Sequence, residues 1–267
     1  MSNKVLEIKN LTIEFNDKTK SEIVVRNFDL ELSRGEKLGI VGESGSGKSM
    51  ISLAIVGIDK KEEMNKTGRI QFDNIDILSC EKKILREVQG RRIGIVFQEP
   101  MTSLNPVRKI GWQIEEVLKI HFKLSKEERY KKVISVLKKV ELDDVNRIYN
   151  SYPHQLSGGM RQRVMIAIAI IGEPEILIAD EPTTALDYKV QGKILKLIDK
   201  INREMNMSII FVSHDLSIVK ELCDRVIVMK DGEKVEEGVA EEIFNDPRAL
   251  YTKQLINAIP KGEIMTK

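Results

Sequence analysis

Gly-Glu-Ser-Gly-Ser-Gly-Lys-Ser, at residues 42–49, is the stretch whose reading decides the fold of this chain. It fits G-x-x-x-x-G-K-[ST], with an apolar run Lys-Leu-Gly-Ile-Val before it at 37–41 and an apolar-periodic segment after it at 50–58. The frame is strand, phosphate loop, helix. Gly42, Gly45 and Gly47 let the backbone curl, so the N–H groups of Glu43, Ser44 and Ser46 and the positive end of the next helix converge on phosphate oxygens. Lys48 then reaches the outer phosphates and Ser49 binds magnesium through its hydroxyl. The alternative is a Gly/Ser-rich turn that merely caps a helix.

Working outward, residues 6–15 and 24–32 alternate apolar and polar positions around a polar loop at 16–22, which predicts an antiparallel β-layer. Further strands are expected at 68–72 and 93–97, with a short helix at 81–89 between them. From 99 to about 150 the pattern turns helical, at 110–122 and 126–140, and no strand pattern appears. This stretch reads as a helical subdomain inserted into an α/β core. A turn containing Pro153 leads to Leu-Ser-Gly-Gly-Met at 156–160, opening a helix from about Met160 to Ile171. Strands at 175–179, 208–212 and 225–229 then alternate with helices at 189–204 and up to Leu222. Asp231-Gly232 signals a hairpin turn, and the tail at 241–259 reads as helical with a break at Pro247. Such alternation implies a mainly parallel core sheet with ligands at the carboxyl ends of its strands.

Composition narrows the classes. The 267 residues could form one large domain or two small ones, and 42% hydrophobic residues suffice for a core. A net charge of +2 argues against a nucleic-acid partner. Cys80 and Cys223 form no C-x-x-C pair, so they read as reduced thiols of a cytosolic protein. The polar start does not look like a signal peptide, and the longest apolar run, at 164–171, is too short to span a bilayer. Work at a membrane would need a partner.

The strand at 175–179 ends in Asp180 and Glu181. Asp180 closes a Walker B form, a carboxylate placed to hold a metal's water shell, and Glu181 is the candidate base that polarises water. Acidic surface residues at a strand's end are the plainer reading of the same pair. Ser157, Gly158 and Gly159 at a helix start offer a second set of anion-binding N–H groups. Together with the first loop they could sandwich a γ-phosphate, most simply if they come from another subunit. A plain N-cap with a flexible approach is the other reading.

The order of residues 42–49, Gln98, the 156–160 signature, Asp180-Glu181, Ala185-Leu186-Asp187 and Ser213-His214 resembles the ATP-binding cassette (ABC) ATPases over nearly the whole chain. The resemblance implies a P-loop NTPase (RecA-like) core at 1–98 and 160–245, a helical subdomain at 99–159 carrying the signature at its end, and a short extension at 246–267. It implies ATP and Mg2+ as ligands, and Gln98 as a magnesium ligand that senses metal and permease. By the same resemblance Asp187 lies at a dimer interface, and His214 contacts the γ-phosphate. Phe15 is the best match to an adenine-stacking aromatic, at the end of a strand where it can equally belong to the core. Segments 97–106, 152–163 and 251–260 look like the oligopeptide, dipeptide and nickel branch of bacterial importers, which shares Met160 in place of the commoner Gln. Many members of that branch carry a longer tail, sometimes with clustered cysteines. Here the chain stops soon after Pro260 without them, so an iron–sulfur site is not expected and shorter nickel-type members stay in view. The implied partners are integral-membrane permeases, a second ATPase subunit in a head-to-tail homo- or heterodimer, and indirectly an extracellular solute-binding protein. The implied location is the cytoplasmic face of the membrane. A non-transport ABC ATPase and a nucleotide-binding regulatory subunit are the alternatives.

Overall fold

The computed structural model describes residues 3–17, 20–58, 64–98, 103–184 and 186–258. Of the stretches singled out above, residues 99–102, Ala185 and everything from Ile259 onward lie outside the described residues. The chain forms two compact units, one from residues 1–85 and 208–267 and the other from residues 86–207.

In the first unit, β1 (Lys4–Asp17) pairs antiparallel with β2 (Lys20–Ser33), and on its other side with β4 (Met64–Phe72), which pairs with the two-residue β5 (Ile75–Asp76). Alternation buries one face: Leu6, Ile8, Leu11, Ile13, Val25, Phe28, Leu30, Leu32, Ile70 and Phe72 are all essentially inaccessible. The step from Ile8 to Leu11 breaks period two. A register shift there, with Asn10 and Asn27 in the left-handed region at φ 51° and 44°, returns Leu11 to the inner face. Each such side chain contributes about 1.5–3 kcal/mol of burial, an upper estimate against a compact unfolded chain. The layer is longer than its apolar pattern predicts. Asn16 faces Ser21 and Asp17 faces Lys20, so the expected polar loop is mostly strand.

The same unit holds β3 (Lys37–Val41), parallel to β8 (Ser208–Ser213) on one side and to β9 (Arg225–Lys230) on the other. Its strands read as unbroken apolar runs because both faces are covered. β10 (Glu233–Val239) returns antiparallel to β9 through Asp231 and Gly232, both at positive φ as the hairpin signal requires. Helices of this unit include α1 (Lys48–Val56), α8 (Leu216–Leu222), α9 (Ala240–Asn245) and α10 (Leu250–Asn257).

The chain passes into the second unit within α2 (Lys82–Val88). There β6 (Ile93–Val96) runs parallel to β7 (Ile176–Asp180), with Ile93 opposite Ile176 and Val96 opposite Ala179. Between them lie α3 (Ile110–His121), α4 (Lys126–Lys139), the short α5 (Val145–Asn150) and α6 (Gly158–Ile170). Ile110, Ile114, Leu118, Val133, Leu137, Ile148 and Val164 bury their shared face completely. α4 starts on a capping box in which Ser125 and Glu128 satisfy each other's backbone N–H groups. The turn expected at 151–155 is a 3-10 helix (Pro153–Gln155), and α7 (Tyr188–Met205) completes the unit.

Candidate functional site

In the first unit the loop at 42–47 joins β3 to α1, and its glycines are required by space as well as by dihedral angle. Gly42 has φ 155°, and a Cβ there would lie 2.2 Å from the Met229 carbonyl oxygen. Gly47 has φ 93°, and a Cβ would lie 2.6 Å from the Val24 carbonyl oxygen. Any side chain at either position would push the loop off the sheet. Gly47 is also the residue before α1, so it offers no side-chain acceptor to the first-turn N–H groups, which is the arrangement an anion site needs.

Lys48 is only 4% exposed, and its ammonium sits inside the loop rather than in solvent. Nζ donates to the Gly42 carbonyl (2.9 Å), the Glu43 carbonyl (2.7 Å) and Ser46 Oγ (3.3 Å). These acceptors are neutral carbonyl and hydroxyl oxygens. The Ser46 N–H donates to Glu43 O at 3.2 Å, closing the turn. Glu43, Ser44 and Gly45 are exposed and Ser49 is half-buried. The outer face of the loop is therefore solvent-facing while its inner face is a charged, backbone-lined cradle.

Two more features of this unit bear on the loop. Val41 pairs with Ser213, so His214, exposed, leaves the end of β8 alongside the start of the loop. Ser213 Oγ accepts from the Asp215 N–H (3.0 Å) and Asp215 accepts from Ser217 N–H (2.9 Å), fixing the turn that presents His214. The Glu43 N–H donates to the Tyr251 hydroxyl of α10 at 3.4 Å. Phe15, near the end of β1, is half-buried, unlike the fully buried Ile13 two residues before it.

In the second unit β6 and β7 end side by side, which brings Gln98 to Glu181. Gln98 Nε2 donates to Glu181 Oε2 at 2.8 Å, and Thr184 Oγ1 donates to the same oxygen at 2.9 Å. Glu181 is at φ 48°, a left-handed conformation that a glutamate adopts at some cost and that turns its carboxylate toward these two donors. Asp180, the last residue of β7, is buried. Ser157 caps α6, accepting from the Met160 N–H at 3.4 Å, with its side chain exposed. A Cβ on Gly159 would lie 2.7 Å from Val190 Cγ1, so the start of α6 packs directly on α7. Gly158 is half-buried. Asp187 caps α7 by accepting from the Val190 N–H at 3.0 Å.

Thr184 and Tyr251 are contacts that sequence reading did not single out. Thr184 carries a faint local signal, a hydroxyl three residues after an acid in a turn. Among the described residues no group of three His, Cys, Asp or Glu could hold a metal, and no helix is long and apolar enough to cross a membrane.

A cradle of this kind occurs in many phosphate-binding proteins, and comparison with known proteins decides among them. The profile for ABC transporters matches residues 25–184 of this chain. The chain belongs to the ABC transporter family. It is 44% identical over 257 residues to the dipeptide transport ATP-binding protein DppD of Haemophilus influenzae, a span of 96% of this chain and 78% of that protein. It is 45% identical over 261 residues to the oligopeptide transport ATP-binding protein OppD of Bacillus subtilis, 97% of this chain and 73% of that protein. Against the glutathione import ATP-binding protein GsiA of Escherichia coli the figures are 45% over 264 residues, 96% of this chain and 42% of that protein. Among solved structures, a dimeric ATP-binding cassette in a post-hydrolysis state, bound to ADP and Pi, matches with a TM-score of 0.78 at 34% identity, covering 88% of this chain and 98% of that one. The cbiO1 chain of Clostridium perfringens, part of an ABC transporter complex, matches at 0.77 and 31% identity over 92% of each chain. The resemblance drawn from the motifs is thus borne out in family and in fold. As an ABC ATPase, the chain binds ATP and hydrolyses it to ADP and phosphate.

Proposed function

We propose that this ABC ATPase powers the import of peptides through separate membrane-spanning permeases, working at the cytoplasmic face of the membrane. What carries the reading is the likeness, over nearly the whole chain, to ATP-binding proteins named for dipeptide, oligopeptide and glutathione transport. The chain's own residues support the chemistry. In the first unit the amides of 44–49 and Lys48 receive the phosphates, and His214 contacts the γ-phosphate as water attacks its phosphorus and the bond to ADP breaks. In the second unit Glu181 accepts the water's proton, oriented by Gln98 and Thr184. Magnesium, when bound, neutralises phosphate charge. Ser49 in the first unit offers it a hydroxyl oxygen, and Gln98 and Asp180 in the second offer an amide and a carboxylate oxygen, the hard donors it prefers. Ser157, Gly158 and Gly159 serve the ATP of a second cassette, with Asp187 at the interface between the two, and Phe15 stacks on adenine. A solute-binding protein outside the membrane delivers the cargo.

Uptake measured in cells lacking the gene for this chain tests the substrate class. Accumulation of labelled di- and oligopeptides should fall to background while nickel accumulation is unchanged. Loss of nickel uptake alone would overturn the peptide reading, and unchanged uptake of both would overturn the importer reading.

The hydroxyl of Thr184 has a separate expected effect. Thr184→Val removes a donor that holds Glu181 without changing side-chain shape. The kcat for ATP should fall about three- to tenfold, the worth of roughly one hydrogen bond, with KM little changed and Thr184→Ser close to wild type. Steady-state phosphate release with an unaltered kcat in Thr184→Val would show that the hydroxyl does not orient the base.

A further inference from the structure

The first peptide of the phosphate loop is held at both ends. Its carbonyl, Gly42 O, accepts from Lys48 Nζ at 2.9 Å, and its N–H, on Glu43, donates to Tyr251 Oη at 3.4 Å. A peptide group is planar and stiff, so a constraint on its N–H side is transmitted to its carbonyl side. We propose that Tyr251 is a positioning residue of the ATP site: α10 clamps the Gly42–Glu43 peptide and thereby fixes where the Lys48 ammonium stands.

At 3.4 Å this hydrogen bond is long, and the packing around Tyr251 is what sets its geometry. Tyr251 is buried and Thr252 beside it is fully buried. The N-terminus of α10 is tied to β10, because the Glu236 carboxylate accepts from the N–H groups of Arg248 (2.8 Å) and Ala249 (3.1 Å). The Lys230 ammonium stands 4.8 Å from the centre of the Tyr251 ring, a cation–π contact that fixes the ring from the end of β9. The residue before it, Met229, is the one whose carbonyl leaves no room for a Cβ on Gly42. The start of the loop therefore sits between the end of β9 and the tyrosine. Burial raises the Tyr251 pKa, so its hydroxyl stays neutral in the physiological range. Through this tyrosine α10 becomes part of the nucleotide site.

The inference rests on the loop binding ATP, and the test separates the two. Tyr251→Phe keeps the ring, its burial and the Lys230 contact, and removes only Oη. In the purified full chain, the dissociation constant of a fluorescent ATP analogue and the KM for ATP should rise about three- to tenfold, with kcat within twofold of wild type and the thermal midpoint within about 2 °C. Glu236→Gln, which weakens the anchor of α10, should raise the same two constants by a smaller factor. A Tyr251→Phe protein that binds ATP as wild type does would overturn the clamp. So would a loss of affinity matched by an equal fall in kcat and a clear drop in thermal midpoint, the mark of a purely structural role. If wild-type chain itself failed to bind the analogue, the nucleotide reading would fall first and the clamp with it.

Discussion

Glu181→Gln should lower steady-state ATP turnover by at least about a hundredfold while leaving ATP affinity within about twofold of wild type. General-base catalysis is worth roughly 10²- to 10⁴-fold, and glutamine cannot take a proton from water. The substitution is otherwise conservative at this position. The amide oxygen of glutamine can still accept from Gln98 Nε2 and Thr184 Oγ1, which now converge on one carboxylate oxygen at 2.8 and 2.9 Å. The turn at φ 48° is unaffected, because its backbone does not depend on the charge. Phosphate release and equilibrium binding of a fluorescent ATP analogue, measured on the same preparation, check both halves. Wild-type turnover would remove Glu181 from the role of base, and lost binding would make it a structural residue.

Lys48→Ala should act on the opposite step. It removes the only side-chain cation within the loop and three hydrogen bonds that organise it, to Gly42 O, Glu43 O and Ser46 Oγ. A charged hydrogen bond to phosphate is worth about 1.5–3 kcal/mol, so ATP affinity should fall by up to about a hundredfold, and turnover with it. The stability cost should be small by comparison. Alanine puts no charge in the interior, and the backbone bonds from Met50 and Ile51 to Gly47 O that start α1 remain. Titration of the same nucleotide analogue against the variant measures the effect. Affinity unchanged from wild type would mean that phosphates do not bind where Lys48 stands.

The phosphate loop was legible because its glycines answer to local demands: Gly42 and Gly47 have backbone angles and neighbours that exclude a side chain, and that need shows as a pattern within eight residues. The strands at 93–96, 176–180 and 208–213 were legible for a similar reason, since strands covered on both faces appear as short apolar runs. The ends of β1 and β2 were not. Residues 16–17 and 20–21 are polar, and their pairing follows from a ribbon that continues past the core, which hydrophobic alternation cannot report. α5 was missed because six residues are too few to show a period, although Asp144 accepting from the Arg147 N–H is a cap that could have announced it. β4 starts at Met64, four residues before the strand expected at 68–72, and β5 is only two residues long. At the site, the pairing of Gln98 with Glu181 and of Tyr251 with Glu43 joins residues 83 and 208 positions apart. Family order could flag Gln98 and Glu181 separately, while no local pattern encodes the contact of α10 with the loop.

The most direct test that hydrolysis at this site drives import is uptake by cells whose only copy of the gene carries Glu181→Gln. With the variant present at wild-type amounts in the membrane fraction, accumulation of a labelled oligopeptide should fall to the level of cells lacking the gene. Wild-type accumulation in those cells would contradict the account, because peptide would then be entering without ATP turnover by this chain.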